Sequence, residues 1–449
     1  MSNIKVRFPP SPTGYCHVGT ARMALLNYLF ARKSGGKIVF RSEDTDRERS
    51  TPEFEADIIE SIKWLGLEWD EFLRQSERTP IYTAALQKLI DEDKAYVSEE
   101  PSKKDPSVMV APVRLRNPGT IVTFDDIIRG EITFDTTELG DFVIARAIDD
   151  PLYHLSVVVD DAENGITHVI RGEEHISNTP RQILIQEALG YSRPQYAHYP
   201  LFLGSDRSKL SKRKGDVAVK EYRAEGYLPQ ALLNFIGTLG WTPPSGKELL
   251  TLDEMVAEFD LADLHKSGAV FDVDKLRWYN REYLLKLDEQ TFASHALERL
   301  HMALAARGMP YHESTARKML PTIKERISTW GDIDRMVEEG EFDFFFAKPL
   351  VSKEELPGKD SDAATAQRHL LKVHEILSAA DDEIYSDDER LKGAVWDYAS
   401  AEGRGKVLWP MRFALSGRAK SPDPFTIAAA LGKEETLARL KAAHDILGS

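Results

Sequence analysis

Hydrophobic and polar positions at the start of the chain predict a strand, a helix and a second strand in quick succession. Residues 4–8 alternate apolar and charged side chains, and they stop at Pro9-Pro10, which cannot continue a central strand. From Gly19 onward apolar residues recur at helical spacing until a glycine pair at 35–36. Residues 38–40 then form a second apolar run that leads into Glu43. This order predicts a βαβ unit, which presents ligands at the carboxyl ends of its strands.

Strand-like and helical patterns divide the rest of the chain. Residues 121–124 and 131–134 read as strands, in a segment that lies between two halves of the predicted parallel sheet. After Gly215 the pattern is mostly helical, with helices predicted over 228–239, 252–259 and 276–287. Beyond about residue 290 amphipathic helices dominate, including 363–378 and 427–447. No strand-rich stretch in this last part predicts a β-barrel.

Length and composition restrict the class of protein. A chain of 449 residues predicts two to four domains, and 42% hydrophobic with 29% charged residues is ordinary for a globular enzyme. No apolar run reaches the roughly 18 residues that a membrane helix needs, and the N-terminus lacks the apolar region of a signal peptide. We therefore expect a cytoplasmic protein without membrane contact.

The single cysteine and the acidic charge each bear on possible partners. Cys16 alone forms neither an intramolecular disulfide nor a Cys-rich zinc site, so no zinc is expected. The formal net charge of -15 argues only weakly against a nucleic-acid partner, because nucleic acids respond to a local basic face.

The loop before the first predicted helix carries candidate nucleotide ligands. His17, Gly19 and Thr20 lie where backbone amides and the positive end of the helix dipole favour a phosphate. The chain contains no G-x-x-x-x-G-K-[ST] loop, so ATP is not held as in P-loop enzymes. Taken alone, the tetrapeptide at 17–20 (HVGT) is also consistent with a helix-entry loop whose histidine caps the helix.

A second candidate is a strongly basic run over residues 207–215 (RSKLSKRKG). It places five basic residues in eight positions, with small hydroxyl residues between them. One reading is a solvated basic turn. The other is a loop that stabilises the charge developing on pyrophosphate when a carboxylate attacks the α-phosphate of ATP.

Together the two segments resemble a known pair of motifs. Residues 10–20 (PSPTGYCHVGT) resemble the first signature of class I aminoacyl-tRNA synthetases, and residues 209–213 (KLSKR) resemble the second. The stretches 41–47, 141–146, 165–175 and 405–412 further resemble bacterial glutamyl-tRNA synthetases. This resemblance extends over essentially the whole chain, and no single motif carries it.

The resemblance implies a fold and a domain order. It implies an α/β protein with a Rossmann-like parallel-sheet catalytic domain, formed by residues 1–82 and 154–204. A connective insertion over 83–153 would bind the acceptor end of tRNA, and a helical stem-contact domain would cover 205–290. An all-α anticodon-binding domain would follow over 291–449.

The resemblance also assigns roles to individual residues. On ATP, which enters with Mg²⁺, it places His17, Gly19, Thr20, Glu174, Lys209, Ser211 and Lys212. Lys212, Lys209 and His17 are the candidates for stabilising the transition state. No general base is required, because the substrate carboxylate is already ionised at neutral pH.

A glutamate pocket must receive two carboxylates and one ammonium group. Arginine suits the carboxylates because its planar fork is bidentate and always charged. By resemblance, Arg7 faces the side-chain carboxylate, Arg171 binds the other carboxylate, and Glu43 receives the α-ammonium group. Ser11 and Tyr153 are the candidate hydrogen-bonding walls.

A basic and aromatic cluster near the C-terminus is the candidate tRNA surface. Trp409 and Phe413 lie in sequence among its basic members, Arg404, Lys406, Arg412, Arg418 and Lys420. A solvated helix face explains the same pattern equally well. The expected partners are tRNA-Glu, L-glutamate and ATP, and the expected state is a monomer.

Three alternatives stay open on the sequence. One is an enzyme that also charges tRNA-Gln. A second is the relative that glutamylates a modified base of tRNA-Asp, although that enzyme lacks the long helical C-terminal region. The third is a tRNA-binding paralogue without catalysis, against which the intact His17 and Lys212 argue. The anticodon bases that are read, and the effect of the short insertion, are not fixed by the sequence.

Overall fold

A computed structural model describes residues 4–102, 105–204, 206–208, 210, 218–359 and 361–449. The chain divides into two compact units, residues 1–280 and 281–449. The finer division into four domains stays a prediction.

Strands occur along the first 270 residues. In chain order the strands are β1 (Lys5–Phe8), β2 (Lys37–Ser42), β3 (Glu71–Arg74), β4 (Ala95–Val97), β5 (Glu100–Pro101), β6 (Met109–Val110), β7 (Val113–Leu115), β8 (Ile121–Asp126), β9 (Gly130–Asp135), β10 (Phe142–Ala147), β11 (Asp150–Pro151), β12 (His168–Gly172), β13 (Gln195–Tyr199), β14 (Phe202–Leu203) and β15 (Ala269–Val270).

Helices occur in both units. The first nine in chain order are α1 (Val18–Lys33), α2 (Pro52–Trp64), α3 (Thr79–Asp91), α4 (Tyr153–Glu163), α5 (Thr179–Leu189), α6 (Val219–Ala224), α7 (Pro229–Thr238), α8 (Leu252–Glu258) and α9 (Val273–Leu285). They are followed by α10 (Glu289–Ala306), α11 (Glu313–Arg326), α12 (Gly331–Glu338), α13 (Asp343–Phe346), α14 (Ala363–Ala379), α15 (Asp388–Glu402), α16 (Arg404–Ser416), α17 (Pro424–Leu431) and α18 (Lys433–Gly448).

The βαβ unit predicted at the start of the chain is confirmed. Strands β1 and β2 are parallel neighbours, and α1 connects them. The apolar residues Leu25, Leu26 and Leu29 of α1 are fully buried, which is the packing that their spacing predicts. Strand β3 continues the sheet in parallel beside β2.

A second group of strands extends this sheet. Strands β12 and β13 are parallel, and the backbone amide of Thr167 donates to the carbonyl oxygen of Lys5 at 2.9 Å. This bond places β12 next to β1, so the parallel order across the first unit is β3-β2-β1-β12-β13. From β1 the chain adds β2 and β3 on one side, and it later adds β12 and β13 on the other side. α/β sheets bind ligands at the carboxyl ends of the strands beside such a switch point.

The two strands predicted in the middle segment are confirmed as the antiparallel pair β8 and β9. The last residue of β8, Asp126, pairs with Tyr196 of β13, so this hairpin lies beside the parallel sheet. Four further strands form a separate antiparallel sheet in the order β11-β10-β7-β4. A continuous apolar core joins these layers, with Leu86, Leu155 and Ile183 among its fully buried members.

The second unit is helical throughout its described residues, as the amphipathic patterns predict. The predicted helix over 363–378 corresponds to α14. The prediction of one helix over 427–447 is wrong, because Gly432 adopts a φ of 81° between α17 and α18. That left-handed backbone ends α17, and only glycine adopts it readily. Within the described residues, no helix is long and apolar enough to cross a membrane.

Candidate active site

The residues that the sequence assigns to glutamate and ATP meet at one cavity. Its volume is about 1300 Å³, and it opens at the carboxyl ends of the parallel strands. Its lining includes Arg7, Ser11, His17, Gly19, Thr20, Glu43, Tyr153, Arg171 and Glu174. Lys209, Ser211 and Lys212 lie outside the described residues.

One wall of the cavity is a network of buried charges around Asp161. Asp161 Oδ1 lies 3.3 Å from Arg7 Nε and 2.6 Å from Arg41 Nη1, so one carboxylate oxygen serves two guanidinium groups. Arg41 Nη2 also lies 3.0 Å from Glu43 Oε1. A buried charge is tolerated when it is paired and hydrogen-bonded in this way. The wall therefore fixes Arg7 and Glu43 in place before any substrate arrives.

Protonation states in this wall follow from burial and pairing. Burial alone raises the pKa of Asp161, but Arg41 and Arg7 together hold that pKa below its usual value. Burial lowers the pKa of Arg41, and the carboxylates of Asp161 and Glu43 reverse that effect, so its pKa is raised overall. Burial raises the pKa of Glu43, which Arg41 and Arg7 only partly oppose.

Behind this wall a second carboxylate is fully enclosed. Asp160 accepts hydrogen bonds from Arg78 Nε at 2.7 Å, from the side-chain amide of Gln75 at 2.8 Å and from the hydroxyl of Tyr82 at 2.9 Å. These three donors satisfy the carboxylate without any substrate. Asp160 is thus a support for the wall.

A second wall of the cavity holds Arg171 with neutral acceptors. Its Nε donates to His198 Nε2 at 3.0 Å, and its Nη2 donates to Thr179 Oγ1 at 2.9 Å. Its Nη1 is buried and has no hydrogen-bond partner among the described residues. A buried guanidinium nitrogen in that condition is a natural donor for a substrate carboxylate.

Tyr153 and His175 close the cavity between the two walls. Tyr153 Oη lies 3.4 Å from His175 Nδ1, and the side-chain amide nitrogen of Asn178 lies 3.1 Å from the same atom. Burial, with the positive charges of Arg171 and Arg7, lowers the pKa of His175 to about 3. His175 is therefore a neutral side chain at physiological pH.

The helix-entry loop is built by His17 itself. His17 Nδ1 accepts the backbone amides of Gly19 at 3.1 Å and Thr20 at 3.3 Å, so it caps α1. A Cβ atom at Gly19 would lie 3.0 Å from His17 Cε1, so glycine makes room for this ring. Because Nδ1 accepts, the ring proton resides on Nε2, which lies 3.3 Å from Thr20 Oγ1. Capping and nucleotide binding, the two readings of the sequence, are compatible.

The neighbours of the lysine-rich run lie at the same place. Leu210 lines the cavity, and the backbone amide of Val219 donates to the carbonyl oxygen of Cys16 at 2.7 Å. Ala218 forms an isolated antiparallel bridge with His17. A described residue within the run thus lies at the cavity, and residues shortly after the run contact the helix-entry loop.

Comparison with known proteins gives the same assignment over the whole chain. Residues 3–106 and 99–278 match the family "tRNA synthetases class I (E and Q), catalytic domain", and residues 291–444 match "Anticodon binding domain". The glutamate–tRNA ligase of Hydrogenobaculum sp. is 40% identical over 97% of this chain and 99% of its own length. That of Heliobacterium modesticaldum is 37% identical over 100% and 98%. The chain belongs to the glutamate–tRNA ligase family.

Solved structures of this family agree with the fold. A glutamate–tRNA ligase from Elizabethkingia meningosepticum, determined with its amino acid, has a TM-score of 0.85 and 30% identity over 99% of both chains. The glutamate–tRNA synthetase of Elizabethkingia anophelis has a TM-score of 0.84 and 31% identity over 98% of this chain and 99% of that one. The family, the fold class and the enzyme class expected from the sequence are confirmed.

Some residues of this family member's cavity escaped the sequence reasoning. Arg41 and His175 lie in stretches that resemble the family, and Asp161 lies outside them, yet the sequence assigned none of the three a role. Arg22 of α1 also lines the cavity, where its guanidinium carbon lies 4.4 Å from the ring centre of Phe202. The signal available in the sequence was the position of Arg22, three residues after the predicted ATP ligand Gly19.

The predicted tRNA-facing cluster is only partly assembled on one surface. Arg404 and Lys406 are exposed near the start of α16, and the Arg404 guanidinium carbon lies 4.4 Å from the ring centre of Trp396. Arg412 and Arg418 are half-buried and donate to main-chain oxygens of Ala419 and Glu339. Phe413, expected to interleave with these cations, is instead buried in the core.

Proposed function

We propose that this chain activates L-glutamate with ATP to glutamyl-adenylate and transfers the glutamyl group to the 3′-terminal adenosine of tRNA-Glu. The observation that supports the proposal most is the convergence of the assigned amino acid and ATP residues on one cavity. ATP enters with Mg²⁺ as part of the substrate. Among the described residues, no group of three His, Cys, Asp or Glu side chains could hold a metal ion.

Charge balance in the cavity supports glutamate as the amino acid. Arg7, Arg41 and Arg171 carry three positive charges, against two negative charges on Glu43 and Asp161. Asp160 also lies 4.0 Å from Arg41 Nε, but it is paired with Arg78, so that pair adds no net charge. Glutamate, with two carboxylates and one ammonium group, carries one negative charge and neutralises the surplus. Glutamine carries none, so it would leave a buried guanidinium group without a carboxylate, which disfavours binding.

Each substrate group has a candidate partner in this arrangement. Arg7 receives the side-chain carboxylate, Arg171 Nη1 the α-carboxylate, and Glu43 the ammonium group. Ser11 donates to the main-chain oxygen of Glu43 at 3.1 Å, so it holds that loop as well as the pocket wall. Tyr153, anchored beside His175, completes the wall.

Activation then needs positioning and charge stabilisation. A carboxylate oxygen of glutamate attacks the α-phosphorus, the new oxygen–phosphorus bond forms, and pyrophosphate leaves. His17, Gly19, Thr20 and Glu174 bind ATP, with Ser211, while Lys209 and Lys212 stabilise the charge on pyrophosphate. In the second step a ribose hydroxyl of the terminal adenosine attacks the glutamyl carbonyl carbon, and AMP leaves.

The partners and setting belong to the same proposal. The first unit would bind the acceptor end and the inside corner of tRNA, and the second unit would bind the anticodon. We propose that the enzyme acts as a cytoplasmic monomer.

ATP–pyrophosphate exchange with and without tRNA tests the reaction. We expect glutamate-dependent exchange that requires tRNA-Glu, and none with glutamine. Exchange without tRNA, followed by transfer only to tRNA-Asp, would favour the enzyme that modifies tRNA-Asp. Absence of exchange under every condition would favour a paralogue without catalysis. Aminoacylation of purified tRNA-Gln then decides between the discriminating and the non-discriminating enzyme.

A further inference from the structure

Two buried residues outside the substrate cavity connect to Arg171 in a line. Arg171 of β12 and His198 of β13 are paired positions in the parallel sheet, so their side chains lie next to each other. His198 Nδ1 lies 2.6 Å from Asp126 Oδ2, and Asp126 ends β8. Neither side chain is exposed to solvent. The three residues come from three different strands.

The hydrogen-bond inventory fixes the tautomer of His198. An arginine Nε only donates, so His198 Nε2 must accept from Arg171. The imidazole proton therefore resides on Nδ1, where it is donated to the Asp126 carboxylate. A doubly protonated His198 would place two donors against each other. Burial lowers the pKa of His198, an effect that the hydrogen bond to Asp126 only partly opposes, so the ring is neutral at physiological pH.

Asp126 is itself held rigidly. Its Oδ1 accepts the backbone amides of Ile128 and Arg129, both at 3.0 Å, and its Oδ2 accepts the backbone amide of His198 at 3.0 Å. These bonds leave the carboxylate one orientation, with Oδ2 facing the imidazole. The position and tautomer of His198 follow from that orientation.

We propose that Asp126 and His198 are positioning residues for glutamate binding: the carboxylate fixes the His198 tautomer whose Nε2 holds Arg171 toward the cavity. Because His198 is neutral, it orients the guanidinium group without neutralising it. A carboxylate in its place would pair with Arg171 and compete with the substrate. This inference rests on the proposed role of Arg171 as a ligand of a glutamate carboxylate.

The isosteric variant Asp126→Asn tests the tautomer directly. Its oxygen stays with the amides of Ile128 and Arg129, which need an acceptor, so its NH₂ group faces His198 Nδ1. That nitrogen must then accept, and the proton moves to Nε2, where it opposes Arg171 Nε–H. We expect the KM for glutamate in the exchange assay to rise about 10- to 100-fold, with the KM for ATP within about twofold of the parent enzyme.

A second substitution supplies the rescue. In His198→Gln the side-chain oxygen can accept from Arg171 whatever residue stands at 126, because the amide rotates freely. We expect His198→Gln to retain most of the glutamate affinity, and Asp126→Asn/His198→Gln to match it. The backbone amide at position 198 loses its Oδ2 acceptor in Asp126→Asn and in this double variant alike, so comparing those two variants isolates the effect of the tautomer. His198→Asn keeps a donor toward Asp126 but has no acceptor near Arg171, so it should raise the KM for glutamate as Asp126→Asn does.

Three outcomes overturn the proposal. One is a double variant as impaired as Asp126→Asn, which would indicate a purely structural loss. Another is an equal rise in the KM values for glutamate and ATP. The third is a His198→Asn enzyme with unchanged glutamate affinity, and this arm still decides if Asp126→Asn fails to fold. Arg171→Ala distinguishes failure of this proposal from failure of the proposed function. If this variant binds glutamate normally, the proposed role of Arg171 itself is wrong.

Discussion

Arginine side chains differ in burial and in pairing between the substrate cavity and the surface of the C-terminal unit. Arg7 and Arg41 are almost completely buried, and each is paired with Asp161, at 3.3 Å and 2.6 Å respectively. Arg404 is exposed and lies over the ring of Trp396. In the cavity the low local dielectric makes each charge and its orientation matter, whereas exposed charges are screened and act collectively.

Another arginine, Arg439, shows that burial alone does not indicate a substrate site. Arg439 of α18 is buried, and its Nη1 donates to the main-chain oxygens of Phe344 and Leu415 at 2.6 and 2.7 Å. Its donors are used within the helical unit, and its Nε pairs with Glu435. Arg171 differs because one buried nitrogen is left unsatisfied beside a cavity. Unsatisfied donors, more than burial, distinguish a binding arginine from a structural one.

The largest effect on stability is expected from Asp161→Ala. This change would leave the buried Arg7 without its carboxylate partner and would remove one of the carboxylate partners of Arg41. Breaking a buried pair by removing one partner typically destabilises a protein by about 3–5 kcal/mol. We expect a loss of that size in the free energy of unfolding, measured by urea denaturation.

The matched control for Asp161 is Asp46→Ala, which removes an exposed partner of Arg49 at 2.7 Å. It should leave the free energy of unfolding nearly unchanged, because exposed ion pairs contribute little to stability. Equal effects at the two sites would contradict the contrast between buried and exposed pairs.

Arg7→Ala comes next, and it acts on substrate. Loss of a buried charged partner for the side-chain carboxylate should reduce kcat/KM for glutamate in the exchange assay by about 10²–10³-fold. The KM for ATP should stay within a few-fold, because Arg7 lies on the amino acid side of the cavity. Arg317→Ala, an exposed arginine of α11, is the charge-matched control. Near-normal glutamate kinetics in Arg7→Ala would overturn the glutamate assignment.

The sequence predicted local structure and motif residues well, and long-range pairings poorly. Apolar spacing within a few residues predicts β1, α1 and β2, because side-chain periodicity follows directly from backbone geometry. Arg7, Glu43 and Arg171 were assigned through resemblance, and the structure places all three at the cavity. Their supports were missed. Arg41 and Asp161 are 120 residues apart, and nothing in either neighbourhood encodes their contact.

The same reason explains two further misses. His198 contacts Arg171 only because β12 and β13 are paired in one particular register, which a single sequence does not reveal. Gly432 ends a helix that the apolar pattern would continue, and a single glycine inside a helical pattern is often tolerated. Register and backbone conformation are properties of the assembled fold.

A smaller effect is expected from pH, through His175. Burial, together with the positive charges of Arg171 and Arg7, holds its folded pKa at about 3, below the value near 6.5 of an unfolded histidine. The unfolded chain therefore binds the proton first, and stability falls as pH decreases from about 6.5 toward 3. Between pH 7 and pH 5 this histidine should account for a loss of about 2 kcal/mol.

His175→Gln should flatten that part of the pH profile of thermal unfolding. His154, whose pKa burial lowers to about 4, has the same sign and provides the parallel variant His154→Gln. A profile for His175→Gln as steep as that of the parent protein would show that His175 is protonated in the folded state over this pH range, and that its pKa is not lowered by burial.

The smallest effect is expected on tRNA affinity from the exposed Arg404. It decides whether the basic cluster near the C-terminus or the net charge of the protein governs tRNA binding. Arg404→Ala removes one cation that can release one counterion from tRNA, so the slope of log K against log salt should decrease by about 0.7–0.9. At low salt the dissociation constant for tRNA should rise only several-fold, and the difference should shrink as salt increases. Arg317→Ala changes the net charge of -15 by the same amount, from a helix outside the cluster. If tRNA responds to a local basic face, only Arg404→Ala alters the slope. Equal changes in both variants would mean that the overall field of this acidic protein acts on tRNA, and that α16 has no special part in binding.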